Sequence, residues 1–162
     1  KGNNMFGELL DAEIREMLSK HFIGRIGCHA KGKTYVVPIS YAFDGKSIYC
    51  HTQEGMKLTM MRENPMVCFE VDSMENKTIW KSIILWGKFA EISDITERNK
   101  GLKILLDRAF PFVLSKKMQL GAHWPFPPDD LNNIKGVVFT IEVLEMTGRF
   151  EEYDIGQAII HG

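Results

Sequence analysis

An Asp-Gly dipeptide, Asp44-Gly45, joins two apolar runs of strand length and makes a β-hairpin the expected local structure. The flanking runs, Thr34 to Phe43 and Ser47 to His51, are rich in the β-branched and aromatic residues that favour strands. Asp-Gly is a preferred hairpin turn because it tolerates the positive φ angles that a two-residue turn requires. A further strand-like run, Ile23 to Ala30, precedes Lys31-Gly32-Lys33. The pattern therefore predicts a meander of three antiparallel strands.

Three more runs have strand character: Met66 to Val71, Ile79 to Ile92 and Gly136 to Met146. The second of them is too long for one flat strand, and Gly87 near its middle predicts a bulge or bend. Short helices are predicted at Asp11 to Phe22, Gly55 to Asn64 and Asp94 to about Arg108. Six strands interrupted by helices favour a small, mostly antiparallel barrel, since a parallel α/β sheet would alternate strand and helix regularly.

Two connecting segments lack a clear period. Asp72 to Lys77 is expected to be a polar break after the fourth strand. Residues 110–135 contain the stretch HWPFPP, and we expect them to form an ordered excursion or a mobile lid. No repeat or domain boundary is visible, so a single domain over residues 5–162 is expected.

Charge and hydropathy exclude several classes of partner. Lys and Arg number 20 against 21 Asp and Glu, and neither sign forms a long block, so we expect no nucleic-acid footprint and no polybasic membrane patch. The chain has no apolar run of about 18 residues and no secretory leader, which makes a soluble cytoplasmic protein the expectation. The partner is expected to be a small molecule or another protein.

Cysteine and histidine spacing predicts neither a disulfide framework nor a metal site. Cys28, Cys50 and Cys68 lie in apolar, strand-like runs without a Cys-x-x-Cys pair, so they are expected to be reduced core residues. The five histidines show no paired ligand spacing. The chain also lacks a Walker loop and a G-x-G-x-x-G pattern. Redox chemistry in such a protein would need a bound cofactor.

The strand predicted at Thr34 to Phe43 has one face of large side chains and one face of small ones. Alternation places Tyr35, Val37, Ile39, Tyr41 and Phe43 on the large face and Val36, Pro38, Ser40 and Ala42 on the small face. Small side chains allow a flat ring to approach the backbone, and Pro38 removes one ladder donor, so we expect an edge, a bulge or a split in the sheet here. The alternative is an edge strand whose small face only packs against protein.

On the long strand the same alternation groups Trp80, Ser82, Ile84 and Trp86. Two tryptophans beside a hydroxyl are suited to border a ring or a phosphate. Aromatic stripes on strands are more often plain core, and core is the favoured interpretation of this stripe.

The stretch from Gly55 to Lys57 has the features of an anion site. A chain that bends at a glycine and enters a helix presents unpaired N–H groups and the positive end of the helix dipole. Lys57 lies in the first turn, where a cation opposes the dipole, so a nearby anion such as phosphate is a reasonable inference. The alternative is a solvated lysine. His51 ends the preceding strand and is expected to face the same pocket, unless it is only a hydrogen-bonded residue at the strand end.

The order and spacing of several short motifs resemble those of a known family. They are Pro-x-x-Tyr, an Asp-Gly turn, Tyr-x-His, Gly-x-Lys, Asn-Pro, Cys-Phe-x-Val-Asp and Ser-Ile-x-x-x-Gly, within VVPISYAFDGKSIYCHTQEGMKLTMMRENPMVCFEVD and WKSIILWGKFAEI. The chain resembles the flavin-binding split-barrel family of pyridoxamine 5′-phosphate oxidase over roughly Leu10 to Ile92, and within it the 5-nitroimidazole-resistance (Nim-type) proteins. Thr147-Gly148-Arg149, expected after the closing strand, extends the similarity.

The resemblance implies a mainly β fold, a six-stranded antiparallel split β-barrel of Greek-key type. It also implies a homodimer that holds FMN, or FAD, at the subunit interface. The residues expected to contact the cofactor are Val37, Pro38, Ile39, Ser40, Tyr41, His51, Thr52, Lys57, Leu58, Trp80, Ser82 and Ile83.

Roles for some of these residues follow from the same resemblance. Lys57 would hold the flavin phosphate, and the main chain of Pro38 to Tyr41 would run along the ring. His51 matches a histidine that in Nim-type proteins lies close to the flavin and to the antibiotic. Met56 departs from the pattern, since Nim-type sequences often have a second histidine at that position.

The leading hypothesis is a flavin-dependent reductase of small, electron-poor aromatic molecules such as 5-nitroimidazole antibiotics. His51 is the expected catalytic residue, because a histidine with a pKa of about 6.5 is suited to donate a proton near neutral pH. The main alternative is a non-catalytic flavin-binding or flavin-storage protein. Haem binding and pyridoxamine phosphate oxidation are weaker alternatives, the latter because the extra basic residues that two phosphates need are not seen.

Overall fold

Strands dominate residues 4–76, 79–113 and 131–153, which are the parts of the chain that the computed structural model describes. The strands are β1 (Asn4–Glu8), β2 (Ile23–Ala30), β3 (Lys33–Phe43), β4 (Ser47–Thr52), β5 (Met66–Asn76), β6 (Ile79–Glu91) and β7 (Val137–Tyr153). The helices are α1 (Asp11–Lys20), α2 (Met56–Glu63) and α3 (Ile95–Val113), and a 3₁₀ turn spans Leu131–Asn133.

The strands β2 to β7 close into a barrel in which neighbouring strands run antiparallel. Their order around the barrel is β2-β3-β4-β7-β6-β5, and β5 pairs again with β2. β2, β3 and β4 form the predicted meander, and β5 crosses back to lie beside β2, which is a Greek-key arrangement. The prediction of a six-stranded antiparallel Greek-key barrel is therefore confirmed.

Gly87 lies at an irregularity in the long strand β6, as the sequence predicts. The register between β6 and β7 shifts here, because Trp86 lies opposite Glu145 whereas Gly87 lies opposite Val143. A Cβ atom on Gly87 would lie 2.5 Å from the carbonyl oxygen of Glu142. The two backbones approach so closely at this bulge that only glycine fits without a shift of the main chain.

We expect Gly87→Ala to lower the free energy of unfolding by about 1–3 kcal/mol, because the added methyl group would push two paired strands apart. Urea unfolding followed by circular dichroism measures the change. Gly55→Ala is the control, since no atom of the described residues beyond its chain neighbours lies within 4 Å of a Cβ at Gly55, and its φ of 166° is extended backbone. An equal loss of stability in both variants would contradict the close-approach explanation.

Two helices close the ends of the barrel, and a third covers part of its outside. α1 contributes Ile14, Met17 and Leu18 to the main core, near the start of β2. α2 contributes Leu58, Met60 and Met61 at the opposite end, where Asn64 donates a hydrogen bond to the carbonyl of His29. α3 packs on the outer face of β4 and β7 through a second cluster of Leu102, Ile134 and Val138. None of the helices in the described ranges is long and apolar enough to cross a membrane.

Several element boundaries differ from the sequence-based expectations. The segment from Asp72 onward is not a polar break, because β5 continues to Asn76 and its carboxylate Asp72 pairs with Arg25 on the outer face. β7 continues past Met146 to Tyr153, so Thr147-Gly148-Arg149 lies inside the strand. β1 was not predicted, and α3 continues to Val113. Most of the predicted excursion or lid, residues 114–130, lies outside the described residues.

Candidate functional site

The barrel is split between β3 and β4. β3 pairs with β2 from Lys33 to Ser40, but it pairs with β4 only from Tyr41 to Phe43. Among the residues that the structure describes, the first eight residues of β3 therefore have a strand neighbour on one side only. Pro38 lies in this open stretch, where its missing N–H group costs no ladder bond. The predicted split at Pro38 is confirmed.

The two faces of β3 are arranged as the alternation predicts. Ile39 and Tyr41 point into the core and are buried, whereas Val36 and Pro38 point outward and are exposed; Val37 and Ser40 are half-buried. Tyr41 donates a 2.9 Å hydrogen bond from its hydroxyl to the carbonyl of Leu18. The side chains of Ile39 and Tyr41 are thus engaged in the core, and these two residues can meet a ligand only through their main chain.

Lys57 lies in the first turn of α2, close to the thiols of Cys28 on β2 and Cys50 on β4. Cys50 is opposite Tyr41, the residue at which the pairing of β3 with β4 begins. The N-cap of that helix is Gly55, which offers no side-chain acceptor to the first N–H groups. Lys57 is half-buried, and no hydrogen bond or ion pair to its ammonium group occurs within the described ranges. Burial lowers the pKa of Lys57, and the nearby thiols of Cys50 and Cys28 oppose that shift. A half-buried cation without a counter-ion, beside uncapped N–H groups, fits an anionic ligand.

His51 lies at the end of β4, on the face opposite Cys50. Its Nε2–H donates a 2.7 Å hydrogen bond to the carbonyl oxygen of Lys135. Burial lowers the pKa of His51; this hydrogen bond raises it, and the charge of Arg98 lowers it further. Neighbouring residues of a strand point to opposite faces, and Lys57 lies near the thiol of Cys50. His51 and Lys57 are therefore not brought into one pocket within the protomer. Thr52 is half-buried and follows His51 at the strand end.

The stripe Trp80, Ser82, Ile84 and Trp86 lies on the outer face of β6 and not in the core. Trp80 is 37% exposed and Trp86 is 40% exposed, so the favoured core interpretation was wrong. Ile83, on the other face of β6, and Leu58 are fully buried. The predicted cofactor contacts of Ile83 and Leu58 therefore cannot be side-chain contacts with a ligand on the outer surface. The ladder places Arg149 opposite Ser82.

Two sets of predicted contact residues share the outer face but lie far apart. A single row across the sheet runs from Pro38 through Arg25 and Glu70 to Ile84. Three strand spacings separate the ends of this row, about 14 Å along the sheet. Within one protomer, the residues of β3 and those of β6 are therefore too distant to contact the same edge of one aromatic ring.

Sequence reasoning missed two arginines that organise the loops around the site. Arg62 of α2 bridges the carboxylates of Glu54 and Glu91. Arg98 of α3 donates hydrogen bonds to the carbonyls of Ile134 and Gly136. Glu54 lies eight positions from Arg62, and Glu91 and the partners of Arg98 lie about 30 to 40 positions away, so no helical or strand periodicity indicates these contacts.

Metal ligation finds no support in the described ranges, where no three His, Cys, Asp or Glu side chains are grouped as ligands. The three cysteines are free thiols, with Cys28 and Cys50 buried and Cys68 half-buried. Burial raises the pKa of all three thiols, which keeps them protonated and unreactive near neutral pH.

Comparison with known proteins adds family information to this geometry. The sequence pattern that describes the pyridoxamine 5′-phosphate oxidase family matches residues 11–150. An uncharacterized protein of Rhizobium meliloti strain 1021 is 28% identical over 139 residues, which is 85% of this chain and 89% of that protein.

Two solved structures share the fold. An FAD-binding protein from Mesorhizobium loti superposes with a TM-score of 0.70 at 24% identity, covering 90% of this chain and 98% of that one. A protein from Bacteroides thetaiotaomicron named for 5-nitroimidazole antibiotic resistance gives a TM-score of 0.69 at 20% identity, covering 93% of this chain and 90% of that one. At these identities the likeness concerns the fold alone.

Proposed function

Because this chain belongs to the pyridoxamine 5′-phosphate oxidase family, we propose that it binds a flavin nucleotide, FMN or FAD, at the split between β3 and β4. The observation that carries the proposal is the half-buried Lys57, which has no counter-ion within the described ranges and lies close to Cys50, where the pairing of β4 with β3 begins. The structurally similar protein from Mesorhizobium loti is named as FAD-binding, which supports the choice of a flavin.

The residues present are suited to hold such a molecule in two parts. Lys57 and the uncapped N–H groups that follow Gly55 would hold the phosphate. The main chain of Pro38 to Ser40 pairs with β2 but not with β4, so its open side offers hydrogen-bonding groups to the polar edge of a flat ring, and the small face of β3 permits its approach. A flavin nucleotide is an extended molecule, so its phosphate and its ring do not need to share one pocket.

We further propose that the protein is a reductase of small, electron-poor aromatic molecules, with 5-nitroimidazoles as the named class. The similarity to the Bacteroides protein named for resistance to these antibiotics supports this choice. The bound flavin would supply the electrons. His51 would donate a proton to the reduced substrate once its Nε2–H leaves the carbonyl of Lys135. The alternative function is flavin binding or storage without catalysis.

Anaerobic mixing separates the enzyme from the carrier. The flavin-loaded protein is reduced chemically, mixed with a 5-nitroimidazole, and followed by its visible absorbance. A reductase returns to the oxidised spectrum as the nitro compound is consumed, and buffer without the nitro compound is the control. A spectrum that stays reduced with every nitro compound tested would favour the carrier.

We propose that the protein is a homodimer and expect sedimentation to show a dimer at micromolar concentration. The strands β3, β5 and β6 expose the apolar side chains of Val36, Met66 and Trp86. A symmetric partner would bury these side chains and bring β6 of one protomer toward β3 of the other. A flavin-loaded monomer in sedimentation would contradict this proposal.

A further inference from the structure

Arg62 connects three parts of the chain near the proposed phosphate site. Its guanidinium group makes two 2.8 Å hydrogen bonds to the carboxylate of Glu54, one from Nη1 and one from Nη2. It also bonds the carboxylate of Glu91 from Nε at 2.8 Å and from Nη2 at 3.0 Å. The C-terminal turn of α2 is thereby tied to the loop before the helix and to the end of β6. Arginine commonly forms such bidentate contacts with carboxylates.

Glu54 is the acidic residue next to the proposed anion site. It directly precedes Gly55, the N-cap of α2, and lies three positions before Lys57. The hydrogen bonds and charge of Arg62 lower the pKa of Glu54, so its carboxylate is ionised at neutral pH. An ionised carboxylate left unpaired at this place would repel a phosphate.

Arg62 does not share the face of α2 that carries Lys57. Five positions along an α-helix place two side chains about 140° apart around the axis. Arg62 therefore acts on the site through Glu54 and the loop, and not by contact with a ligand of Lys57.

We propose that Arg62 is a positioning residue of the phosphate site, holding the carboxylate of Glu54 in a neutralised pair and fixing the loop that leads into Lys57. This inference rests on the proposed flavin function. It assigns to Arg62 an effect on phosphate-bearing ligands in particular, because Glu54 directly precedes Gly55, the N-cap of the helix whose first N–H groups would hold the phosphate.

The test compares FMN with riboflavin, which has the same ring but no phosphate. We expect Arg62→Met to weaken FMN binding by about 5- to 20-fold and riboflavin binding by less than about 2-fold, since one unpaired carboxylate then acts on the phosphate. Adding Glu54→Gln to Arg62→Met should restore FMN binding to within about 3-fold of the parent. Equal losses for FMN and riboflavin, or no recovery in the double variant, would overturn the proposal.

Two matched variants control for charge and for the second carboxylate. Arg15→Met removes an ion-paired, exposed arginine of α1 and should leave FMN binding unchanged. Glu91→Gln in the Arg62→Met background should recover less binding than Glu54→Gln, because Glu91 ends β6 and does not lead into the helix. If Arg62→Met does not fold, Arg62→Lys is the second variant, because it keeps the charge without the bidentate contact. We expect it to lose less affinity for FMN than Arg62→Met, again without a matching loss for riboflavin.

A measurement without flavin keeps this inference separate from the proposed function. The pKa of Lys57, followed by NMR of the flavin-free protein, should rise in Arg62→Met because the unpaired carboxylate stabilises the ammonium ion. It should return toward the parent value when Glu54→Gln is added. An unchanged pKa in Arg62→Met overturns the role of Arg62. A parent protein that binds no flavin, but shows this change, overturns the proposed function instead.

Discussion

His51→Ala is expected to keep flavin bound and to slow the reduction of a 5-nitroimidazole by about 10²- to 10⁴-fold, the range for loss of a general acid. The expectation rests on the proposed role of His51 as the proton donor and on its half-buried place at the end of β4. Single-turnover reoxidation of the reduced, flavin-loaded protein measures the rate. Flavin content, measured by absorbance after gel filtration, separates a slower reaction from lost cofactor.

The pH dependence provides a second sign of the same role. Only the protonated imidazolium can act as the acid, and burial together with the charge of Arg98 lowers the pKa of His51 below its ordinary value. The parent rate should therefore fall as pH rises through that lowered pKa, and the rate of His51→Ala should lack this fall. Gln53→Ala is the control, because Gln53 bonds the same carbonyl of Lys135 at 3.4 Å and carries no titratable group. If His51→Ala reduces the nitro compound as fast as the parent protein does, His51 is not the proton donor and only holds the Lys135 segment.

Lys57→Met is expected to weaken FMN binding by about 10- to 150-fold, which corresponds to a charge-assisted contact of about 1.5–3 kcal/mol. Methionine retains the length and apolar stem of the side chain, so the half-buried position stays filled. We expect little change in the free energy of unfolding, because no hydrogen bond or ion pair within the described ranges depends on Lys57. Equilibrium titration followed by flavin fluorescence measures the affinity.

Two controls separate a phosphate contact from other effects of losing a lysine: binding of riboflavin and a variant of a second lysine. Riboflavin affinity should change little in Lys57→Met, because riboflavin lacks the phosphate. Lys103→Met removes an exposed lysine of α3 and should leave FMN affinity unchanged. Equal FMN affinities of Lys57→Met and the parent would remove Lys57 from the site.

Local sequence patterns predicted most strands because each strand carries its own alternation and turn signals. The split at Pro38 was predictable for the same reason, since a proline without an N–H group marks an open edge. β1 was not predictable in this way. It pairs with the last part of β7, from Glu8 opposite Arg149 to Asn4 opposite Tyr153, and that pairing joins opposite ends of the chain.

The tryptophan stripe shows what alternation cannot decide. It assigned Trp80, Ser82 and Trp86 correctly to one face of β6, but both faces of this strand carry large apolar residues. Only the closure of the barrel determines that Ile83 and Leu85 point inward. β5 posed a related problem, because Asp72 resembles a turn residue until its pairing with Arg25 across the sheet is known.

Lys57 was predictable from local sequence because a glycine before a helix start is itself a local signal. The separation of His51 from Lys57 was not, since it depends on which face of β4 turns toward α3 and the Lys135 carbonyl. The contact of Arg62 with Glu91 was equally unpredictable, because Glu91 lies on a different element that only the closed barrel brings near.

Flavin binding by the purified protein tests the central claim most directly. The protein is incubated with FMN or FAD, separated from free cofactor by gel filtration, and examined by visible absorbance. We expect the spectrum of oxidised flavin to elute with the protein in stoichiometric amount, and Lys57→Met to retain much less of it. A parent protein that elutes colourless after incubation with each cofactor would show that the protein does not bind flavin.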